Sequence, residues 1–189
     1  MADTGLSQSV FIEDVCGVAI LANMEATCVL SNHPLIEVRM GMKDFSSEWM
    51  HCDRISTFVA RHVSHNRADC LLYANLFSSA LNELLETVFA NHGSEGDLTC
   101  RVSRTDSSDI VELSLPCDEP TLKFYTGAIN LLKQHDVEDL YHAALFASQQ
   151  QDPRLGILEV AVDYKAKISL SNDNGRLTLS AEMVLEGAY

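Results

Sequence analysis

His62 and His65 stand three residues apart, with His51, Cys52 and Cys70 close by in the chain. Imidazoles at helical spacing could share a divalent metal, and a thiol beside an imidazole can be activated as a nucleophile. A zinc site needs three or four converging ligands, and a His pair near a helix end also suits the negative pole of that helix. These residues define one candidate chemistry, a small metal- or thiol-dependent enzyme. The six cysteines, at positions 16, 28, 52, 70, 100 and 117, include no CxxC and read as small apolar residues in a reducing compartment. No GxGxxG, GxxxxGK[ST] or GxSxG is present, so the common dinucleotide, phosphate-loop and nucleophile-elbow fingerprints are missing.

The elements that would position such groups are organised around Asn66 to Gly93. Tyr73, Phe77, Ala80, Leu81, Leu84, Leu85 and Val88 recur at three- and four-residue intervals, which predicts a helix with one broad apolar face. Asn75, Ser78, Ser79, Asn82, Glu83 and Glu86 fall mostly on the other side. Asn66 reads as the N-cap, with Asp69 reaching back, and Gly93 as the stop. At about 25 residues the helix would run about 38 Å.

Residues 1–10 are small and polar and read as mobile. Val15–Ala22, Ala26–Leu30 and Leu35–Met40 are β-prone, and Phe45–Ser64 turns helical through Trp49, Cys52, Ile55, Phe58, Val59, His62 and Val63. Leu98–Ser103 and Ile110–Leu115 read as paired strands around the loop 106–109. Asp118-Glu119-Pro120 opens a helix to about Gln134, with acids at its positive pole, and a further helix spans Asp136 to about Ala147. Ala166–Ser171 and Arg176–Leu185 flank Asn174-Gly175, a tight-turn signal. The Ile, Val and Leu content of Leu155–Asp163 favours a strand. In sum the order predicts an α+β two-layer sandwich: a mixed, mostly antiparallel sheet covered on one face by helices.

The chain has 189 residues, 47% of them hydrophobic, and a formal charge of −14 with only 13 Lys and Arg. That size and composition suit one folded domain over 1–189, with 1–43 as an N-terminal β extension. The charge argues against nucleic-acid and anionic-membrane partners. The longest early apolar run, Val15–Ala22, is short and follows Glu13 and Asp14, so neither a signal peptide nor a membrane span is expected, and the expected compartment is the cytoplasm.

Ala80-Leu81-Asn82-Glu83-Leu84-Leu85-Glu86 resembles the N-box helix of the GHKL (histidine-kinase-like) ATPases, in particular the branch of bacterial anti-sigma-factor serine kinases and related small regulators. The resemblance extends loosely from Ile36 to Leu185, and Leu155-Gly156-Ile157-Leu158 is similar to the family's glycine-containing phosphate box. It implies a helix over Leu155–Asp163 and a site in which Glu83 is the catalytic acid–base, with Asn82, Thr87, Asp118 and Gly156 around ATP and Mg²⁺. Positions i and i+4 share a helix face, so a carboxylate and a metal ligand one turn apart can act together. This chain departs from the pattern at three places. Thr87 replaces the metal-binding Asn, Pro116-Cys117-Asp118-Glu119-Pro120 lacks the glycines of the adenine loop, and one glycine of the phosphate box is gone. The resemblance thus implies a bacterial signalling regulator with an eroded nucleotide site and no bound cofactor, acting on a protein partner: a STAS-type antagonist, a sigma factor or a sensor protein. It also implies possible homodimers through the first β unit. An active ATP-dependent serine protein kinase is the alternative.

Overall fold

Between Asp109 and Pro116 apolar and polar residues alternate, and the strand they form buries Val111, Leu113 and Leu115 on one side. That side is the inner face of a seven-stranded sheet in the computed structural model, which describes residues 10–13, 19–22, 34–134, 136–146 and 152–185. The strands are β1 (Val10–Glu13), β2 (Ala19–Ala22), β3 (Ile36–Gly41), β4 (Asp97–Arg104), β5 (Asp109–Pro116), β6 (Lys167–Asp173) and β7 (Arg176–Met183). Their order is β1-β2-β3-β4-β5-β7-β6, and every neighbouring pair is antiparallel, where the sequence predicts a mixed, mostly antiparallel sheet. Between β3 and β4 run α2 (Met50–Val63) and α3 (Cys70–Asn91). This helical pair returns the chain to the end it left, so β4 opposes β3. The remaining helices are α1 (Met42–Phe45), α4 (Glu119–Leu131), α5 (Val137–Leu145) and α6 (Leu155–Val162). The architecture is the expected two-layer α+β sandwich.

The main core lies between α3 and the sheet. Phe77, Ala80, Leu81, Leu84, Leu85 and Val88 of α3 meet Val102, Leu113, Leu179 and Ala181, and α2 adds Cys52, Ile55, Val59 and Val63. Ile157 and Val160 of α6 join the same core, whereas Leu155 and Leu158 pack with Tyr141 of α5 in a smaller cluster. Among the described residues no helix is long and apolar enough to cross a membrane.

Three predicted boundaries move. α3 begins at Cys70, because Asp69 rather than Asn66 is its N-cap, accepting from the Leu72 amide at 3.0 Å. It ends at Asn91 with His92 in extended geometry, so Gly93 supplies no left-handed cap, and its 22 residues span about 33 Å. The helix predicted over Phe45–Ser64 is broken after α1. Ser46 Oγ donates to the Met42 carbonyl and Ser47 Oγ to the Asp44 carbonyl, each at 2.7 Å, so these hydroxyls cap the short helix from within the chain. In the N-terminal region, Val10–Glu13 is a strand where the sequence reads as mobile up to residue 10, and β2 covers only the end of Val15–Ala22. Residues 1–9 and the predicted strand Ala26–Leu30 lie outside the described residues. The β6–β7 turn follows the sequence: Asn174 (φ 51°) and Gly175 (φ 74°) both take left-handed backbone, the two-residue geometry that matches strand twist.

The outer sheet face is polar. On it Glu37, nearly buried, accepts Arg101 Nη2 at 2.7 Å from the facing β4 position and Arg39 Nε at 2.7 Å. Burial pushes its pKa up, but those two guanidiniums outweigh the burial and hold it below the usual carboxylate value. A second carboxylate ties the layers together. Asp109, 1% exposed, accepts Arg104 Nε at 2.7 Å, Arg67 Nη2 at 2.7 Å and the Tyr73 hydroxyl. Arg104 also donates to the Val63 carbonyl at 2.6 Å, so the β4–β5 hairpin, the end of α2 and the start of α3 meet at one point. Removing one partner of a buried charge network leaves the others uncompensated, so Asp109→Ala is expected to lose about 3–5 kcal/mol of stability in urea unfolding. A loss within the ±0.5 kcal/mol or so of an ordinary surface substitution would show that the hub holds nothing together.

Candidate functional site

The sequence-predicted site residues are carried by α3, by the start of α4 and by α6. The structure brings Glu83, Thr87 and Gly156 together at the crossing of α3 and α6. A Cβ placed on Gly156 would lie 2.6 Å from Thr87 Oγ1 and 2.7 Å from the Glu83 carbonyl oxygen, so only glycine allows the two helices this approach. Thr87, which the resemblance puts at the metal-ligand position, donates its hydroxyl to the Glu83 carbonyl at 2.9 Å and is itself buried. Gly156, expected to line phosphates, instead packs against α3. Asn82 donates to Glu86 one turn on.

Glu83 is half-buried rather than wholly on the wet side of α3. Its pKa is raised to about 7, first by burial and then by the charges of Glu159 on α6 and Glu86 on its own helix. Glu159 is raised as well, by burial and by Asp163 and Glu86. Tyr141 of α5 donates to Asp163 at 2.9 Å. Among the described residues none of these carboxylates has an ion-pair partner. The arrangement can hold a proton at Glu83 near neutral pH. The signal for it was present in the sequence as carboxylates at i, i+3 on α3 and i, i+4 on α6, but the pairing of the two helices was not.

Asp118 stands apart from this group. It is exposed at the N-cap of α4, accepts from the Thr121 amide at 2.8 Å, and is held below the usual carboxylate value by that capping. Its charge acts on His92, at the end of α3, which stacks on Tyr125 and bonds its hydroxyl at 3.1 Å. Burial lowers the His92 pKa to about 4.

The residues of the metal or thiol alternative are not assembled. His62 and His65 are exposed, His51 is buried with Nδ1 3.3 Å from the Phe45 carbonyl, and Cys70 is exposed at the first residue of α3. Burial pushes the Cys52 thiol up to about 12, away from a nucleophilic thiolate. Among the described residues no three His, Cys, Asp or Glu side chains converge as metal ligands. The ATP and Mg²⁺ implied by the resemblance do not fit these residues either: the metal-position hydroxyl is committed to its own helix and the glycine to helix packing. No family model, curated protein or solved structure matches the chain.

Gly156→Ala should push α6 off α3 and cost about 1–3 kcal/mol in chemical denaturation, the usual penalty of overpacking; an unchanged midpoint would mean that the crossing is slack. Glu83 gives a pH test. The folded state keeps its proton up to about pH 7 while the ordinary value is 4.5, so its favourable contribution is complete below the lower value and is lost as pH rises through the upper. Glu83→Gln should therefore gain on the parent protein between about pH 5 and about pH 8, by no more than about 1 kcal/mol after solvent screening, or roughly 2–4 °C. Parallel melting curves across that range would place Glu83 in solvent.

Proposed function

We propose that this chain is a bacterial signalling regulator of the cytoplasm that works by binding a protein partner, as a GHKL-like domain whose nucleotide hollow has been taken over by helix packing. One observation carries the reading: α6 is seated on α3 at Gly156, over Glu83 and Thr87, where the resemblance would place the phosphates and their metal. Two further features support it. Asp118, the acid that would read adenine, is used as a helix cap, and no glycine follows it until Gly127. The partner classes that suit such a module are a STAS-type antagonist, a sigma factor or a sensor protein.

The second reading is an active serine protein kinase, and the specific observation in its favour is Glu83, whose proton affinity near neutrality is that of a general base. Thermal melting with and without Mg²⁺ and ATP separates the two. A ligand held only by the folded state stabilises it by about 2.7 kcal/mol at one hundred times its Kd. The expected result is no shift in Tm at millimolar nucleotide, together with a stable complex with a STAS-type antagonist on gel filtration. A rise of several degrees that needs Mg²⁺ and weakens in Glu83→Gln would overturn the binding reading in favour of the kinase.

A further inference from the structure

The outward side of α2 carries residues that neither the core nor the Glu83 group uses. Met50, Arg54, Thr57, Phe58, Arg61 and His65 follow one another at intervals of four, three, one, three and four, which sets them along one face of the helix and its continuation. The opposite face supplies Cys52, Ile55, Val59, Ala60 and Val63 to the core. Packing within the described chain therefore does not explain why Met50 and Phe58 stand on this outer stripe. Trp49 is 54% exposed, Met50 49% and Phe58 36%, and Leu71 and Leu72 are also exposed at the start of α3. Aromatic residues, Met and Arg are the types enriched in buried interfaces, and Trp and Arg dominate their energetics.

Charge makes the stripe specific. In a chain of formal charge −14, residues 50–65 hold a single acid, Asp53, against two arginines, Arg54 and Arg61. Arg39, Arg101, Arg104 and Arg154 are each tied to a carboxylate, whereas Arg54 and Arg61 are exposed and form no ion pair among the described residues. Two available guanidiniums, one about a turn before and one about a turn after Phe58, leave a stripe in which apolar and positive side chains alternate along the helix. A partner helix with an apolar seam and carboxylates beside it matches both features. From Met50 to His65 the stripe is about 22 Å long, the rise of about four helical turns. A second copy of the chain is a poor occupant, because a twofold contact here would set Arg54 and Arg61 against their own equivalents. An anionic bilayer is disfavoured by the overall negative charge.

We propose that the exposed stripe of α2 is the docking face of this protein and that its occupant is an acidic amphipathic helix of a partner protein. The inference rests on the protein-binding reading above and deepens it. Trp49 is the sole tryptophan of the chain and stands at the start of the stripe, so its fluorescence reports occupancy directly.

The test titrates the full chain with a synthetic helical peptide of about four turns carrying Leu along one face and Glu on its flanks; the control has Lys in place of every Glu. The expected result is a saturable blue shift of Trp49 with the Glu peptide and none with the Lys peptide. The double variant Arg54→Glu/Arg61→Glu should bind about tenfold more weakly or worse, as lost attraction and new repulsion combine. Phe58→Ser should bind more weakly as well, and the arginine variant should melt within roughly 2 °C of the parent, as exposed substitutions do. No shift with the Glu peptide, an equal shift with the Lys peptide, or unchanged binding by the arginine variant overturns the proposal. So does sedimentation showing self-association that Phe58→Ser abolishes, which would give the face to a second copy, or a Trp49 shift only with vesicles rich in phosphatidylserine. Failure here with no nucleotide effect on Tm removes the surface and leaves the protein-binding reading intact; a nucleotide effect removes that reading itself.

Discussion

The burial of one face of α3 against the sheet is the constraint that the other elements obey. Phe77, Leu81, Leu84, Leu85 and Val88 are all but inaccessible, and full burial of each such side chain contributes about 1.5–3 kcal/mol. Set against a net stability of only about 5–15 kcal/mol for a whole domain, α3 has no freedom to shift or turn. Whatever packs on it must adapt. α6 does so by placing glycine at the point of closest approach, and α2 does so by setting Cys52, Ile55, Val59 and Val63 along its near side. The tight crossing over Glu83 is thus a consequence of a rod fixed from below and a short helix held down from above by Ile157 and Val160.

Carboxylates receive three treatments in this fold, and the differences follow from where rigidity is required. Asp109 is fully buried and fully partnered, with two guanidiniums and a phenol, and it stands where hairpin and helices must be held in register. Glu37 is nearly buried but pinned by Arg39 of its own strand and Arg101 of the neighbouring one, which keeps it ionised on the outer face. Glu83 and Glu159 are only partly buried and have acidic neighbours instead of cations, so both carboxyls hold their protons more strongly than usual. Desolvation acts on all three residues. Glu37 is lowered by its two guanidiniums, whereas Glu83 and Glu159, beside acids, are raised.

Much of this was legible in the sequence where one periodicity ran uninterrupted. The apolar face of α3, the alternation in β5 and β7 and the Asn174-Gly175 turn all follow from local patterns that the tertiary structure did not need to override. The resemblance placed Leu155–Asp163 in a helix against its β-branched content, and the helix forms because Ile157 and Val160 find the core. What could not be read depends on contacts distant in sequence. Asp109 looked like the last residue of a polar loop, yet Arg67 lies 42 positions away and Tyr73 lies 36. The N-cap went to Asp69 because its side chain reaches the Leu72 amide, a choice between two good capping residues that composition does not make. In the candidate site, Glu83 and Gly156 were both identified, but their meeting was not, since no local pattern says which helix lies across which.

The α3–α6 crossing and the exposed stripe of α2 bear on the same question. A domain that worked by gripping a nucleotide would need α6 free to move off α3, yet α6 contributes to two apolar clusters and would surrender both contacts on opening. Such an opening would work against the hydrophobic term that dominates folding. On the proposed reading, recognition must then fall to surfaces that are available without rearrangement. α2 meets that condition, since its core-facing residues are already satisfied and its outer residues have nothing further to do in the described fold. A stable helix that exposes Met50 and part of Phe58, with Trp49 at its start and two arginines in no ion pair among the described residues, keeps apolar area in water. That standing cost is most simply offset by a bound partner.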